Sequence, residues 1–160
     1  MGNRLLSGIF SFVLIALLAG CAGGNTGIST DRSDTFVYAS IGGVNHTNMY
    51  MDWVSIDGVS GHNMRAYGSD GAGVCCVGVP RVYRPGLTVT VGWQARDKNN
   101  NLIAGSKVVE IEPYSEAGTI YAHVFPNDVV RVVVSARDGA HSPNHPIPYP
   151  VDPNKKGGQQ

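Results

Sequence analysis

Leu87-Thr88-Val89-Thr90-Val91-Gly92-Trp93 decides the fold class. Apolar side chains at 87, 89, 91 and 93 alternate with small or polar ones at 88, 90 and 92, and Gln94 continues the polar set. A period of two is that of a strand with one face buried, and a helix would scatter these four side chains around its axis. On both sides of this stretch the chain keeps that period. Val74-Cys75-Cys76-Val77 precedes it as a short buried strand ended by Pro80, and Asp97 to Asn101 follows as a polar turn into Leu102-Ile103-Ala104 and Val108 to Ile111. Thr119 to Phe125 sets Ile120, Ala122 and Val124 against Tyr121, His123 and Phe125, and Pro126-Asn127-Asp128 turns the chain into Val129 to Ser135. Upstream, Phe36 to Ile41 reads as a strand stopped by Gly42-Gly43. Met49 to Ile56 places Tyr50, Val54 and Ile56 on one face against Met51, Trp53 and Ser55, with Asp57-Gly58 as its turn.

About seven short strands with turn signals between them predict an all-β chain folded as an antiparallel β-sandwich over residues 34–146. Glycine at 58, 61, 68, 71 and 73 makes 58–73 a long irregular loop, a length that is usually functional or disordered. The prolines at 143, 146, 148, 150 and 153 make the chain after His141 extended, so 147–160 is expected to be a Pro-rich tail lying on the surface or frayed. Composition agrees: only 15% of residues are charged, against about a quarter in typical domains, and 21 are glycine. Formal net charge is zero and no basic run is interleaved with aromatics, so nucleic acid is not an expected partner. Lys155-Lys156 is a solvated end.

The N-terminus carries an address. Arg4 precedes an apolar run from Leu5 to Leu18, which is shorter than the roughly 20 residues of a spanning helix. Leu18-Ala19-Gly20-Cys21 then resembles the bacterial lipobox, in which the cysteine thiol is diacylglycerated, the preceding peptide is cut and the new amino group is acylated. On that resemblance 1–20 is a cleaved lipoprotein signal peptide, Cys21 is the lipidation site and 21–33 is a flexible tether. Ala22, rather than aspartate, implies sorting to the outer membrane with the domain facing the periplasm. Two or three acyl chains hold a protein on a bilayer where one holds it only marginally.

Chemistry-bearing residues are sparse. Gly-x-Ser-x-Gly is missing from the sequence. Ser60-Gly61-His62 and Gly68-Ser69-Asp70-Gly71 share one loop, but a triad needs a base held by an orienting carboxylate. His141 and His145 have the spacing of half a metal site without a cysteine or acidic partner nearby, and His123 reads as a packed strand histidine. The 68–73 glycines do not open a helix, so they do not form a phosphate cradle. No catalytic residue, metal or cofactor is assigned, and the chain is not expected to be an enzyme or to take a small-molecule substrate. Cys75 and Cys76 are adjacent, with Cα atoms about 3.8 Å apart in a trans peptide, below the usual disulfide range. They stay open between two buried thiols, one per sheet face, a vicinal disulfide, and an intermolecular or reactive thiol.

Two segments carry a family resemblance. Gly73-Val74-Cys75-Cys76-Val77-Gly78-Val79-Pro80 with Pro85-Gly86-Leu87-Thr88-Val89-Thr90-Val91-Gly92-Trp93 is one, and Tyr121 to Val132 with His145-Pro146 beyond it is the other. Together they are similar to a family of small Gram-negative lipoproteins first catalogued as a domain of unknown function, with members associated with immunity to phospholipase effectors of type VI secretion (Tli-like proteins). The family pattern has Leu before the first proline and Trp before Pro-Gly, where this chain has Val79 and Tyr83-Arg84. The resemblance implies a membrane-tethered binding protein with a phospholipase effector as its partner. The competing class is a structural or accessory envelope lipoprotein. Tight protein contacts favour Tyr, Trp and Arg, which makes Asn63, Met64, Arg65 and Tyr67 in the Gly-rich loop, with Arg81, Tyr83 and Arg84, the expected contact residues.

Overall fold

The computed structural model describes residues 35–155. The expected signal peptide, Cys21 and the tether therefore lie outside the described residues. The strands are β1 (Phe36–Asn45), β2 (Tyr50–Ile56), β3 (Val59–Ser60), β4 (Val74–Pro80), β5 (Thr88–Arg96), β6 (Leu102–Glu110), β7 (Thr119–Val124) and β8 (Val130–Ser135). They form two four-stranded sheets, ordered β4-β1-β7-β8 and β3-β2-β5-β6, packed across a shared apolar core. The fold is the all-β sandwich that the alternation predicts. It departs from a purely antiparallel one at a single pairing, because β1 runs parallel to β7.

β5 is the centre of its sheet, between β2 and β6. Val89, Val91, Trp93 and Ala95 all point into the core, the face expected from sequence. β6 pairs with β5 without interruption from Thr88↔Glu110 to Arg96↔Leu102, and among the described residues no strand pairs with its other edge. Leu102 and Val108 are exposed there, and the Lys107 Nζ donates to the Asp128 carbonyl at 3.0 Å.

Three sequence expectations are corrected. In β2 the buried set is Met51, Val54 and Ile56, while Tyr50 is exposed. The pairing slips between Met51↔Ala95 and Trp53↔Gln94, so Asp52 is an inserted bulge residue that shifts the alternation by one. Its carboxylate accepts from Gln94 Nε2 at 2.8 Å and Arg96 Nε at 3.0 Å. β1 does not stop at Gly42-Gly43 but runs on to Asn45. A Cβ at Gly42 would lie 2.6 Å from the Tyr121 ring, and one at Gly43 2.7 Å from Met64 Cε, so the glycines are sites of close approach within a strand.

The third correction concerns the Pro-rich segment. Ala140, His145, Ile147 and Pro150 are buried, so the domain does not end at 146. The outer face of the β1/β7/β8 sheet carries Val44, Tyr121 and Val133, and Ala140 and Ile147 complete a second apolar cluster on it, flanked by Ala72, Phe125 and Tyr149. A sheet face that is apolar must be covered, and proline-restricted backbone covers it at low entropic cost. Residues 139–150 are thus a strap over the sheet. Cys75 and Cys76 are joined in a vicinal disulfide within β4, where the register with β1 shifts between Ala39 and Ile41.

Replacing Ile147 with Ala should lower unfolding free energy by about 2–5 kcal/mol, the range for emptying a buried aliphatic site. It is read as a lower urea midpoint at unchanged slope, and an unmoved midpoint would mean that the strap does not pack.

Candidate functional site

The glycine-rich segment after β3 is an ordered crown on one end of the sandwich. Met64 and Met51 exchange both backbone hydrogen bonds, at 2.8 and 2.9 Å. Asn45, fully buried, organises the rest. Its Nδ2 donates to the carbonyls of Met49 (2.7 Å) and Arg65 (3.0 Å), and its Oδ1 accepts from the Thr47 backbone N–H (2.9 Å) and hydroxyl (2.7 Å). Asn45 N–H donates to the Gly68 carbonyl and Tyr67 N–H to that of Thr47. Asp70 Oδ1 accepts from the backbone N–H of Gly43 and of Ala72, at 2.9 and 3.0 Å. Tyr67 itself holds a positive φ of 50°. With every polar group of Asn45 satisfied in the interior, the crown is a fixed surface.

On this crown Asn63 and Arg65 are exposed and Tyr67 is half-buried. Met64 is 1% exposed and belongs to the core, because the bridge to Met51 turns its side chain inward. It is removed from the expected contact set. The second expected patch lies elsewhere. Arg81, Tyr83 and Arg84 line a groove of about 330 Å³ with Thr35, Phe36, Pro80 and Val82. Tyr83 packs edge-on against Tyr114, whose hydroxyl donates to the Pro80 carbonyl at 2.7 Å. The groove adjoins Phe36, at one end of β1, and the crown adjoins Asn45, at the other. They lie at opposite ends of a ten-residue strand, about 30 Å apart at the strand rise of roughly 3.3 Å per residue. The two patches do not form one site.

The Ser, His and Asp residues of the loop are not assembled into a triad. His62 is exposed, Ser60 is tied into β3 opposite Ser55, and Asp70 faces backbone N–H groups. Ser69 Oγ lies 3.3 Å from Nε2 of His141, which is stacked on Tyr149, and among the described residues no carboxylate orients that ring. Nor do His141 and His145 converge. His145 turns inward, and among the described residues no group of three or more potential ligands could hold a metal.

What sequence reading missed is a chain of three imidazoles. His46 Nε2 lies 2.9 Å from His123 Nδ1, His123 Nε2 lies 3.1 Å from His145 Nε2, and His145 Nδ1 lies 2.9 Å from the Asp138 carbonyl. A carbonyl only accepts, so His145 Nδ1 carries the proton and its Nε2 accepts. His123 then donates from Nε2 and accepts at Nδ1, and His46 donates from Nε2. Both nitrogens of His123 and both of His145 are paired in this arrangement. His123 is completely buried, and His46 is stacked on Phe125 at 4.1 Å. Burial lowers the pKa of His123 to about 3, helped by the neighbouring His46, His145 and Arg131. Burial and then Arg131 lower that of His46 to about 4. Nothing in the local sequence announces this chain: parallel pairing brings Val44 opposite His123, which sets His46 beside it, and the strap delivers His145.

Stability follows with a definite sign. The unfolded chain protonates both rings near pH 6.5 and the folded one does not, so below pH 6.5 the unfolded state binds more protons and stability falls. At pH 4.5 His123 alone should cost about 3 kcal/mol, two units at roughly 1.4 kcal/mol each. Urea unfolding between pH 7 and 4.5 checks this, and a flat profile in that window would contradict the burial of neutral imidazoles.

No curated protein and no solved structure shows significant similarity to the chain. A family model does match, over residues 44–132. The matched stretch includes the crown, the Cys75–Cys76 pair, His46 and His123, and stops short of the strap. By that match, which covers more than half of its length, the chain belongs to the family described as protein of unknown function DUF3304.

Proposed function

We propose that this protein is a lipid-anchored binding protein of the outer membrane, facing the periplasm, and that it confers immunity by binding and inhibiting a type VI secreted phospholipase effector. The observation that carries the reading is the crown: a loop fixed by the buried Asn45 that presents Asn63, Arg65 and Tyr67 to solvent. A pre-organised surface loses little entropy on association, which is what tight inhibition by binding requires. Tethering adds a second advantage. An effector that hydrolyses phospholipid must visit the bilayer surface, and an inhibitor anchored there meets it at a raised effective concentration.

The test is phospholipid hydrolysis by a type VI secreted phospholipase effector, with the full chain reconstituted in the substrate vesicles. Loss of hydrolysis at a near-equal molar ratio supports immunity. Undiminished hydrolysis in the presence of the folded protein would instead favour an accessory envelope lipoprotein. Arg65→Ala combined with Tyr67→Ala should raise the concentration needed for half-inhibition by about 30-fold, the effect of losing roughly 2 kcal/mol at an interface hot spot. His62→Ala, an exposed neighbour, should leave potency unchanged. Unchanged potency in the double variant would remove the crown from the interface.

A further inference from the structure

Thr35, where the described chain begins, is itself a wall of the Arg81–Arg84 groove, and its carbonyl accepts from Arg81 N–H at 2.9 Å. The fourteen residue steps from Cys21 to Thr35 span at most about 50 Å even when fully extended, at roughly 3.5 Å per residue. The groove end is therefore the end of the domain at which the chain leads back to the anchor, and the crown lies about 30 Å further along β1.

The chemistry of that end is amphipathic. Val82 is 79% exposed and Tyr38 75%, and Phe36 and Tyr83 are only partly covered. Arg81 and Arg84 flank them, both exposed. Arg96, Arg131 and Arg137 are paired with Asp52, Glu112 and Glu116, whereas Arg81 and Arg84 have no ion-pair partner among the described residues. Glu110, on the same rim, accepts from the Gly86 N–H. Aromatic rings with one polar end settle at the level of lipid headgroups, and guanidinium groups bind phosphate through paired N–H donors.

We propose that Phe36, Tyr38 and Val82, with Tyr83 and the arginines 81 and 84, form a bilayer-contact surface that binds the phosphates of anionic phospholipid. The domain then stands on its groove end with the crown turned away from the membrane. This rests on the lipid-anchor reading of Cys21, and it assigns Arg81, Tyr83 and Arg84 to lipid rather than to a protein partner.

The experiment uses the full lipidated chain in vesicles of phosphatidylethanolamine and phosphatidylglycerol. A fluorophore is attached at Val82→Cys or, separately, at Asn63→Cys, and quenching by brominated lipid is read. The expected result is strong quenching at 82 and little at 63. Arg81→Glu and Arg84→Glu should each shift the docked equilibrium at least about fivefold toward undocked, the weight of one arginine near an anionic surface before the added repulsion of the glutamate. Phosphatidylcholine vesicles or high salt should have the same effect. Flotation of the protein with vesicles in high salt reads the anchor separately. Failure to float overturns the anchor and this proposal with it, whereas flotation with equal quenching at both positions overturns the contact surface alone. If the glutamate variants abolish inhibition but leave lipid contact at 82 intact, the arginines belong to a protein interface and the proposal falls.

Discussion

Gly42 and Gly43 sit side by side within β1 and allow that strand to be packed from both faces at once. On one side the Tyr121 ring lies where a Cβ of residue 42 would be, and on the other the Met64 thioether lies where a Cβ of residue 43 would be. Tyr121 belongs to the outer cluster under the strap, and Met64 belongs to the inter-sheet core while also anchoring the crown. A larger residue at 42 would have to displace the Tyr121 ring, and one at 43 the end of the Met64 side chain. The two cores, the strap and the crown thus share one narrow stretch of backbone.

Polar groups complete what the glycines permit. Asn45, two strand positions past Gly43, makes four side-chain hydrogen bonds, one to Arg65 in the crown and three to Thr47 and Met49 in the β1–β2 connection. The imidazole chain ties β1 to β7 and then to the strap through donors that all run in one direction, ending on the Asp138 carbonyl. Buried networks of this kind are specific because each member has a single satisfied arrangement. They fix the crown and the strap relative to the sheet that carries them, and so fix what the far end of the domain displays.

Sequence periodicity was sufficient wherever one face of a strand is buried and the other is not. β5 is such a strand, and its inward set of Val89, Val91 and Trp93 is legible directly. It failed where the physics is tertiary. The inserted Asp52 shifts the alternation of β2, and only a partner strand can reveal a bulge. Gly42-Gly43 has the local signature of a strand end, which the Tyr121 and Met64 contacts override. The strap reads as a tail because proline-rich chain lacks periodicity, although Ile147 is buried. Of the expected contact residues, Asn63 and Arg65 are exposed, while Met64 is a core residue that the loop's composition disguised. His46 carried no signal, and the spacing of His145 to His141 pointed to the wrong partner, since the relation of both to His123 exists only after the strands pair.

The edge of β6 that no strand pairs with among the described residues has a consequence for neighbouring copies of the protein. Nine residues of strand end the sheet there, with Leu102 and Val108 exposed on the solvent side. Such an edge is a template for runaway strand-to-strand stacking between neighbours. Lys107 pairs with the core residue Val91, so its side chain leaves from the core-facing side of the sheet, and its ammonium is held by the Asp128 carbonyl. A strand added at this edge would have to displace or desolvate that ammonium. One lysine placed on the apolar side of an edge strand therefore acts as a gatekeeper against strand-to-strand addition.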